Sequence, residues 1–174
     1  MIERIDGVPV LGLLGDSGSG KTTLLAALTR TLVAAGWRVG CVKHSHHDAD
    51  TDLPGRDSHA LARAGAQQVL FATPARWALF TAESEPAPPD LAAVLRRMSL
   101  ATLDVLLIEG YRDVALPRIE LHRHDLHGAF RAPHGAAVIA VASNQRPPPS
   151  CPVPLLDLDD PPAIARFVER ALGL

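Results

Sequence analysis

Short apolar runs alternate along this chain with segments whose apolar residues return every three or four positions, the two periods that separate strand from helix. VPVLGLL (Val8 to Leu14) reads as a buried strand. Behind it, Leu24, Leu28 and Leu32 mark one face of a helix that Gly36 stops. WRVGCVK (Trp37 to Lys43) is a second strand, and Asp57 or Ser58 caps a short helix ending at Gly65. QQVLFA and RWALFT are two further strand expectations, separated by Thr73-Pro74. The loop SEPAPPD ends in Asp90, the expected cap of an amphipathic helix through Met98. DVLLIEG (Asp104 to Gly110) and AAVIAVA (Ala136 to Ala142) are apolar almost without a break, as strands covered on both faces of a parallel sheet are. After the irregular QRPPPSCPVP comes a last helix, with Asp160 as N-cap, Pro161 first, and Ile164, Phe167, Val168 and Leu172 inward. Strands alternating with helices predict a layered α/β domain.

Composition narrows the partners and the compartment. At 174 residues the chain is read as one domain, 1–174, with 47% hydrophobic and 21% charged residues, a globular balance. A formal charge of −2, with no Lys/Arg-rich run, argues against nucleic acid. The apolar runs are too short to cross a bilayer, and the start, MIERIDGVP, has no apolar signal core. Cys41 and Cys151 have neither CxxC nor zinc-finger spacing. These features predict a cytoplasmic protein without a membrane segment.

GDSGSGKT, Gly15 to Thr22, fits the phosphate-loop pattern G-x-x-x-x-G-K-[ST]. The glycines let backbone N–H groups turn inward around an anion, and the helix that follows adds its positive end. Lys21 would reach the β- and γ-phosphates, and the Thr22 hydroxyl would help hold Mg²⁺. A Gly/Ser hinge ahead of a helix is the plain alternative; a buried strand before and a leucine-faced helix after favour the phosphate loop. A dinucleotide fingerprint fails, because Thr23 stands where its third glycine belongs. Such an enzyme also needs a carboxylate at the phosphate edge of the sheet. Asp104 starts its strand, roughly 16 Å from that edge at ~3.3 Å per residue, whereas Glu109 ends it. Glu109 therefore takes the Mg²⁺ role, and Lys21 and Glu109 are the catalytic expectations. Arg56 and Arg112 are candidates for charge stabilisation.

The decapeptide KHSHHDADTD, Lys43 to Asp52, starts at the same carboxyl edge. Asp48, Asp50 and Asp52 alternate, so an extended chain points them to one side. One reading is a switch-like loop contacting Mg²⁺, the γ-phosphate or a second ligand. A second is a transition-metal site on His44, His46 and His47, since imidazole suits zinc, nickel or copper. Against it, adjacent His46 and His47 would point apart, and no cysteine completes the set. The third is a solvated polar loop.

GDSGSGKTTL, RVGCVKHSHHDADTDLPGRDSHALARAGA, DVLLIEGY and LPRIELHR together resemble the MobB-type molybdopterin-guanine dinucleotide biosynthesis adaptor proteins, from about Leu11 to Arg123. The resemblance implies a three-layer P-loop NTPase fold of the SIMIBI class, a mostly parallel sheet flanked by helices, and a homodimer. It implies GTP and Mg²⁺ as cofactors, at most weak GTPase activity, and molybdopterin guanylyltransferase and the molybdenum insertion protein as partners. By position, it makes Gly15, Asp16, Ser17, Gly18, Ser19, Gly20, Lys21, Thr22 and Thr23 the nucleotide loop. It adds His44, His46, His47, Asp48, Asp50, Asp52, Gly55, Asp57 and Ser58, the pair Glu109 and Gly110, then Pro117, Glu120 and Arg123. Thr22, Asp52 and Glu109 are the Mg²⁺ expectations. No N-K-x-D guanine reader is present; Ser143 and Asn144, after a late apolar strand, are the nearest substitute. Two other classes stay open: a metallochaperone GTPase with the histidines as depot, and a small-molecule kinase. The kinase reading needs an acceptor pocket and a lid, for which RHDLHGAFRAPHG is the one stretch long enough to question.

Overall fold

The computed structural model describes residues 4–45, 57–83, 87–123, 126, 137–144 and 151–174. Its contacts divide the chain into two units, Met1–His44 with Leu91–Leu174, and Ser45–Asp90.

In the first unit β1 (Arg4–Ile5) turns into β2 (Val8–Leu14), followed by α1 (Lys21–Ala34) and β3 (Val39–Lys43). The second unit holds α2 (Asp57–Arg63), β4 (Gln68–Ala72) and β5 (Trp77–Thr81). Back in the first come α3 (Leu91–Leu95), β6 (Val105–Glu109), β7 (Arg118–His122), β8 (Val138–Ser143), β9 (Leu155–Asp157) and α4 (Pro161–Leu172). Its sheet runs β3-β6-β2-β7-β8-β9, all parallel, with β1 antiparallel on β2.

The unbroken apolar strands follow from cover on both faces. Leu11 and Leu13 of β2, with Val105 and Leu107 of β6, pack on Leu24, Leu28 and Leu32 of α1 and Ile164, Val168 and Leu172 of α4. Val10 of β2, with Leu106 and Ile108 of β6, meets Leu91 and Leu95 of α3 on the other face. This is the three-layer arrangement that the resemblance implies. Each leucine taken out of water contributes about 2 kcal/mol, so the periodic helices dock before any polar detail matters.

α4 begins as expected, with the Asp160 carboxylate accepting from Ala163 N–H at 3.0 Å. α3 is shorter than its pattern: it stops at Leu95, and i→i−3 bonds from Arg97 to Val94 and from Met98 to Leu95 tighten its end. That tightening delivers Leu100, 7% exposed, to the core. QQVLFA and RWALFT are strands, but they pair only with each other, as an antiparallel hairpin in the second unit. Its register puts Leu70, Leu79 and Trp77 on one face, and all three are exposed. The strands β7 and β9 appear where the apolar pattern marked none.

Asp104 lies at the amino edge of the sheet, away from the carboxyl ends of β2 and β6. Arg38 donates to its carboxylate from Nε at 2.9 Å, from Nη2 at 2.6 Å and from the backbone N–H at 2.8 Å. These bonds hold the carboxyl at about 2, so it stays charged and ties β3 to β6 at that end. Both cysteines are free thiols. No helix among the described residues is long and apolar enough to cross a membrane.

Candidate functional site

β2 ends at Leu14 and α1 starts at Lys21, so Gly15–Gly20 turns at the carboxyl edge of the sheet. Gly15, at φ 153°, has no room for a side chain: a Cβ would stand 2.8 Å from Ser19 Oγ and 3.1 Å from the Leu121 carbonyl. Gly20 is the N-cap of α1, in the left-handed region and without a side-chain cap. The first N–H groups of α1 thus have no capping side chain, unlike those of α4. Ser19 is fully buried, and its hydroxyl has no hydrogen-bond partner among the described residues. The uncapped start of α1, with its helix dipole, and an unused Ser19 hydroxyl beside it suit an anion.

Cations surround this turn. Lys21 Nζ donates to the Asp16 carbonyl at 2.7 Å. Arg112 donates to the Gly15 carbonyl at 2.7 Å and lies 3.9 Å from the Asp16 carboxylate. Arg123 Nε donates to the Ser19 carbonyl at 3.1 Å. Burial lowers the Lys21 ammonium below its usual range; Glu109 opposes this, and Arg112 adds to it.

Glu109 reaches the loop through strand alternation. Val105 and Leu107 of β6 face α1, so two residues on Glu109 faces it too, at the end where α1 begins. Only 7% exposed, it accepts from Thr22 Oγ1 at 2.8 Å on Oε2 and 3.1 Å on Oε1. β3 lies in register, Lys43 beside Glu109. Lys43 Nζ donates to Thr22 Oγ1 at 2.9 Å and lies 3.7 Å from Glu109 Oε1. Thr22 and Glu109 offer hard oxygen donors side by side, the donor type that Mg²⁺ takes.

After Glu109 the backbone turns sharply, with Gly110 at φ 101° and Tyr111 at φ 50°. Gly110 is required twice, since a Cβ would also lie 2.7 Å from that of His44. Arg118, 3% exposed, holds the turn by donating to the carbonyls of Gly110 at 3.3 Å, Tyr111 at 2.5 Å and Val114 at 2.6 Å. Burial pushes its guanidinium below the usual range. His44 donates its backbone N–H to the Glu109 carbonyl at 2.9 Å, and its ring lies 4.8 Å from that of Tyr111.

Of the predicted residues, Gly15 through Thr22, with Glu109, gather at one place, and His44 borders it. Thr23 is exposed on the first turn of α1. Asp57 and Ser58 head α2 in the second unit. His46, His47, Asp48, Asp50, Asp52, Gly55 and Arg56 lie outside the described residues. Among the described residues no three His, Cys, Asp or Glu side chains gather as a metal site. Ser143 and Asn144 lie at the carboxyl end of β8, with Ser143 buried. Two residues without a sequence assignment belong to the site: Lys43 and Arg118. The shared register of the two strands is the signal that points to Lys43; Arg118 left none.

A mostly parallel sheet between helices, with a glycine turn feeding an uncapped helix at its carboxyl edge, defines an α/β protein of P-loop-like fold. Residues 10–144 match the family model described as Molybdopterin guanine dinucleotide synthesis protein B. The Molybdopterin-guanine dinucleotide biosynthesis adapter protein of Escherichia coli K12 is 41% identical over 165 residues, covering 92% of this chain and 91% of its own. The protein of the same description from Haemophilus influenzae is 38% identical over 165 residues, covering 95% and 90%. The crystal structure of Bacillus subtilis MobB superposes with a TM-score of 0.73 at 24% identity, over 94% of this chain and 98% of that one. The chain belongs to the MobB family.

Proposed function

We propose that this chain is an adapter in molybdopterin-guanine dinucleotide biosynthesis that binds GTP with Mg²⁺ at the Gly15–Thr23 turn. Its partners are the molybdopterin guanylyltransferase and the molybdenum insertion protein. The observation that carries the nucleotide reading is the Thr22–Glu109 pair, set beside Lys21 at the uncapped start of α1. The names of the two full-length relatives support the pathway. Lys21 would exchange the Asp16 carbonyl for the β- and γ-phosphate oxygens, and the N–H groups of α1 would meet the same phosphates. Thr22 and Glu109 would hold Mg²⁺, whose chemistry is to neutralise phosphate charge.

Hydrolysis is weak on this reading. The two arginines at the loop, Arg112 and Arg123, already donate to its carbonyls, which supports a role in shaping the turn. Rapid turnover asks for an arginine aimed at the transferring phosphate. The exposed apolar face of the β4/β5 hairpin supports a homodimer built on it.

The adapter role is tested by surface plasmon resonance, with this protein immobilised and the guanylyltransferase in solution, in Mg²⁺-GTP, in Mg²⁺-GDP and without nucleotide. A complex that depends on the nucleotide is expected. No complex in any state would remove the adapter assignment.

A further inference from the structure

We propose that Lys43 is a built-in counter-ion: its ammonium occupies the divalent-cation position while the site is metal-free, and it must withdraw for the cation to enter. The inference rests on the reading of Thr22 and Glu109 as the Mg²⁺-holding pair.

Three observations lead here. Lys43 ends β3 as the register partner of Glu109, on the face that α1 covers, so the strand pairing itself delivers the ammonium. The ammonium then touches the same two groups that would hold the cation, with Nζ 2.9 Å from Thr22 Oγ1 and 3.7 Å from Glu109 Oε1. Glu109 is buried whereas the Lys43 side chain is 53% exposed, so one partner is fixed and the other has a way out.

The energetics explain why such a counter-ion is present. A buried carboxylate without a compensating charge is expensive, and Thr22 offers only a neutral hydroxyl. Lys21 adds charge nearby, but its ammonium is bonded to the Asp16 carbonyl, so the cation in contact with the carboxylate when no metal is bound is Lys43. A magnesium ion sits about 2.1 Å from its oxygen ligands, so an ammonium bonded to one of those ligands would face it at close contact. Two positive charges at that spacing repel strongly, and the flexible stem of a lysine lets its head leave. Thr22 is already oriented for the exchange: its hydroxyl hydrogen points to Glu109, and a lone pair accepts from Lys43.

The test uses full-length, nucleotide-free protein: wild type, Lys43→Met, and Lys43→Met combined with Glu109→Gln. Mn²⁺ binding is followed by the paramagnetic resonance signal of the free ion. Thermal unfolding is recorded in chelator and in millimolar Mg²⁺. Lys43→Met is expected to bind Mn²⁺ about tenfold tighter than wild type, since a like charge has been removed. The gain should vanish in the double variant. Lys43→Met should also melt below wild type in chelator and recover in Mg²⁺. Unchanged or weaker Mn²⁺ binding, with a melting loss that Mg²⁺ leaves in place, would overturn the proposal and reduce Lys43 to a strand-to-helix ion pair. If Lys43→Met does not fold, Lys43→Gln keeps a polar group there and serves the same comparison. The nucleotide reading fails separately, through absence of GTP binding by the wild type, and that result leaves the Mn²⁺ comparison standing.

Discussion

Replacing Lys21 with alanine is expected to weaken GTP binding at least about a hundredfold while the fold survives. The ammonium would give two charge-assisted bonds to phosphate oxygens, and each such bond contributes roughly 1.5–3 kcal/mol. Arg112 and Arg123 are held on the carbonyls of Gly15 and Ser19, and Lys43 is held on Thr22 and Glu109, so the phosphates lose their own lysine. The fold has little to lose, because the Lys21 head group meets one backbone carbonyl, that of Asp16. Titration with a fluorescent GTP analogue, beside a circular dichroism melt, separates the two effects. Wild-type affinity in Lys21→Ala would remove the phosphate-loop assignment.

Arg118→Leu should instead destabilise the whole first unit, by about 2–4 kcal/mol. The leucine leaves the carbonyls of Gly110 and Val114 without this donor, while that of Tyr111 keeps the bond from Val114 N–H at 3.1 Å, and each buried acceptor so stranded costs about 1–3 kcal/mol. Two consecutive left-handed residues, one of them the non-glycine Tyr111, also lose the group that holds them. For a chain of this size the melting temperature should fall by roughly 10 °C by calorimetry. Arg118→Lys should recover only part of that, since one ammonium cannot span the three carbonyls as a guanidinium does. A melting temperature within about 2 °C of wild type would show that the corner closes without Arg118.

That residue also marks where the sequence stops being legible. The helices α1, α3 and α4 and the strands β2, β3, β6 and β8 were readable because apolar periodicity and burial agree in them, whereas α2, with Leu61 57% exposed, was readable from its cap. β7 was not, because in RIELH the charged residues that suggest an exposed edge are inside: Arg118 is 3% and His122 7% exposed. A buried arginine that feeds carbonyls looks, in one dimension, like a surface arginine. β9 has only three residues, too few for a period. The hairpin strands were readable as strands, but their partner was not, since pairing depends on a turn and not on composition.

The candidate site divides in the same way. The G-x-x-x-x-G-K-T spacing and the apolar strand before Glu109 pointed to Thr22 and Glu109 as neighbours, and they lie 2.8 Å apart. Lys43 carries no signal of its own, because it opens a run of histidines and aspartates whose chemistry dominates the stretch. The register of β3 against β6, invisible in either strand alone, is what puts its ammonium on Thr22.

The central claim is a guanine-nucleotide site that depends on Mg²⁺, and calorimetric titration of the wild-type protein with GTP, ATP and their diphosphates, each with and without Mg²⁺, tests it most directly. The account predicts that GTP binds in preference to ATP and that Mg²⁺ tightens it. Equal or tighter ATP binding, or GTP binding indifferent to Mg²⁺, would contradict it.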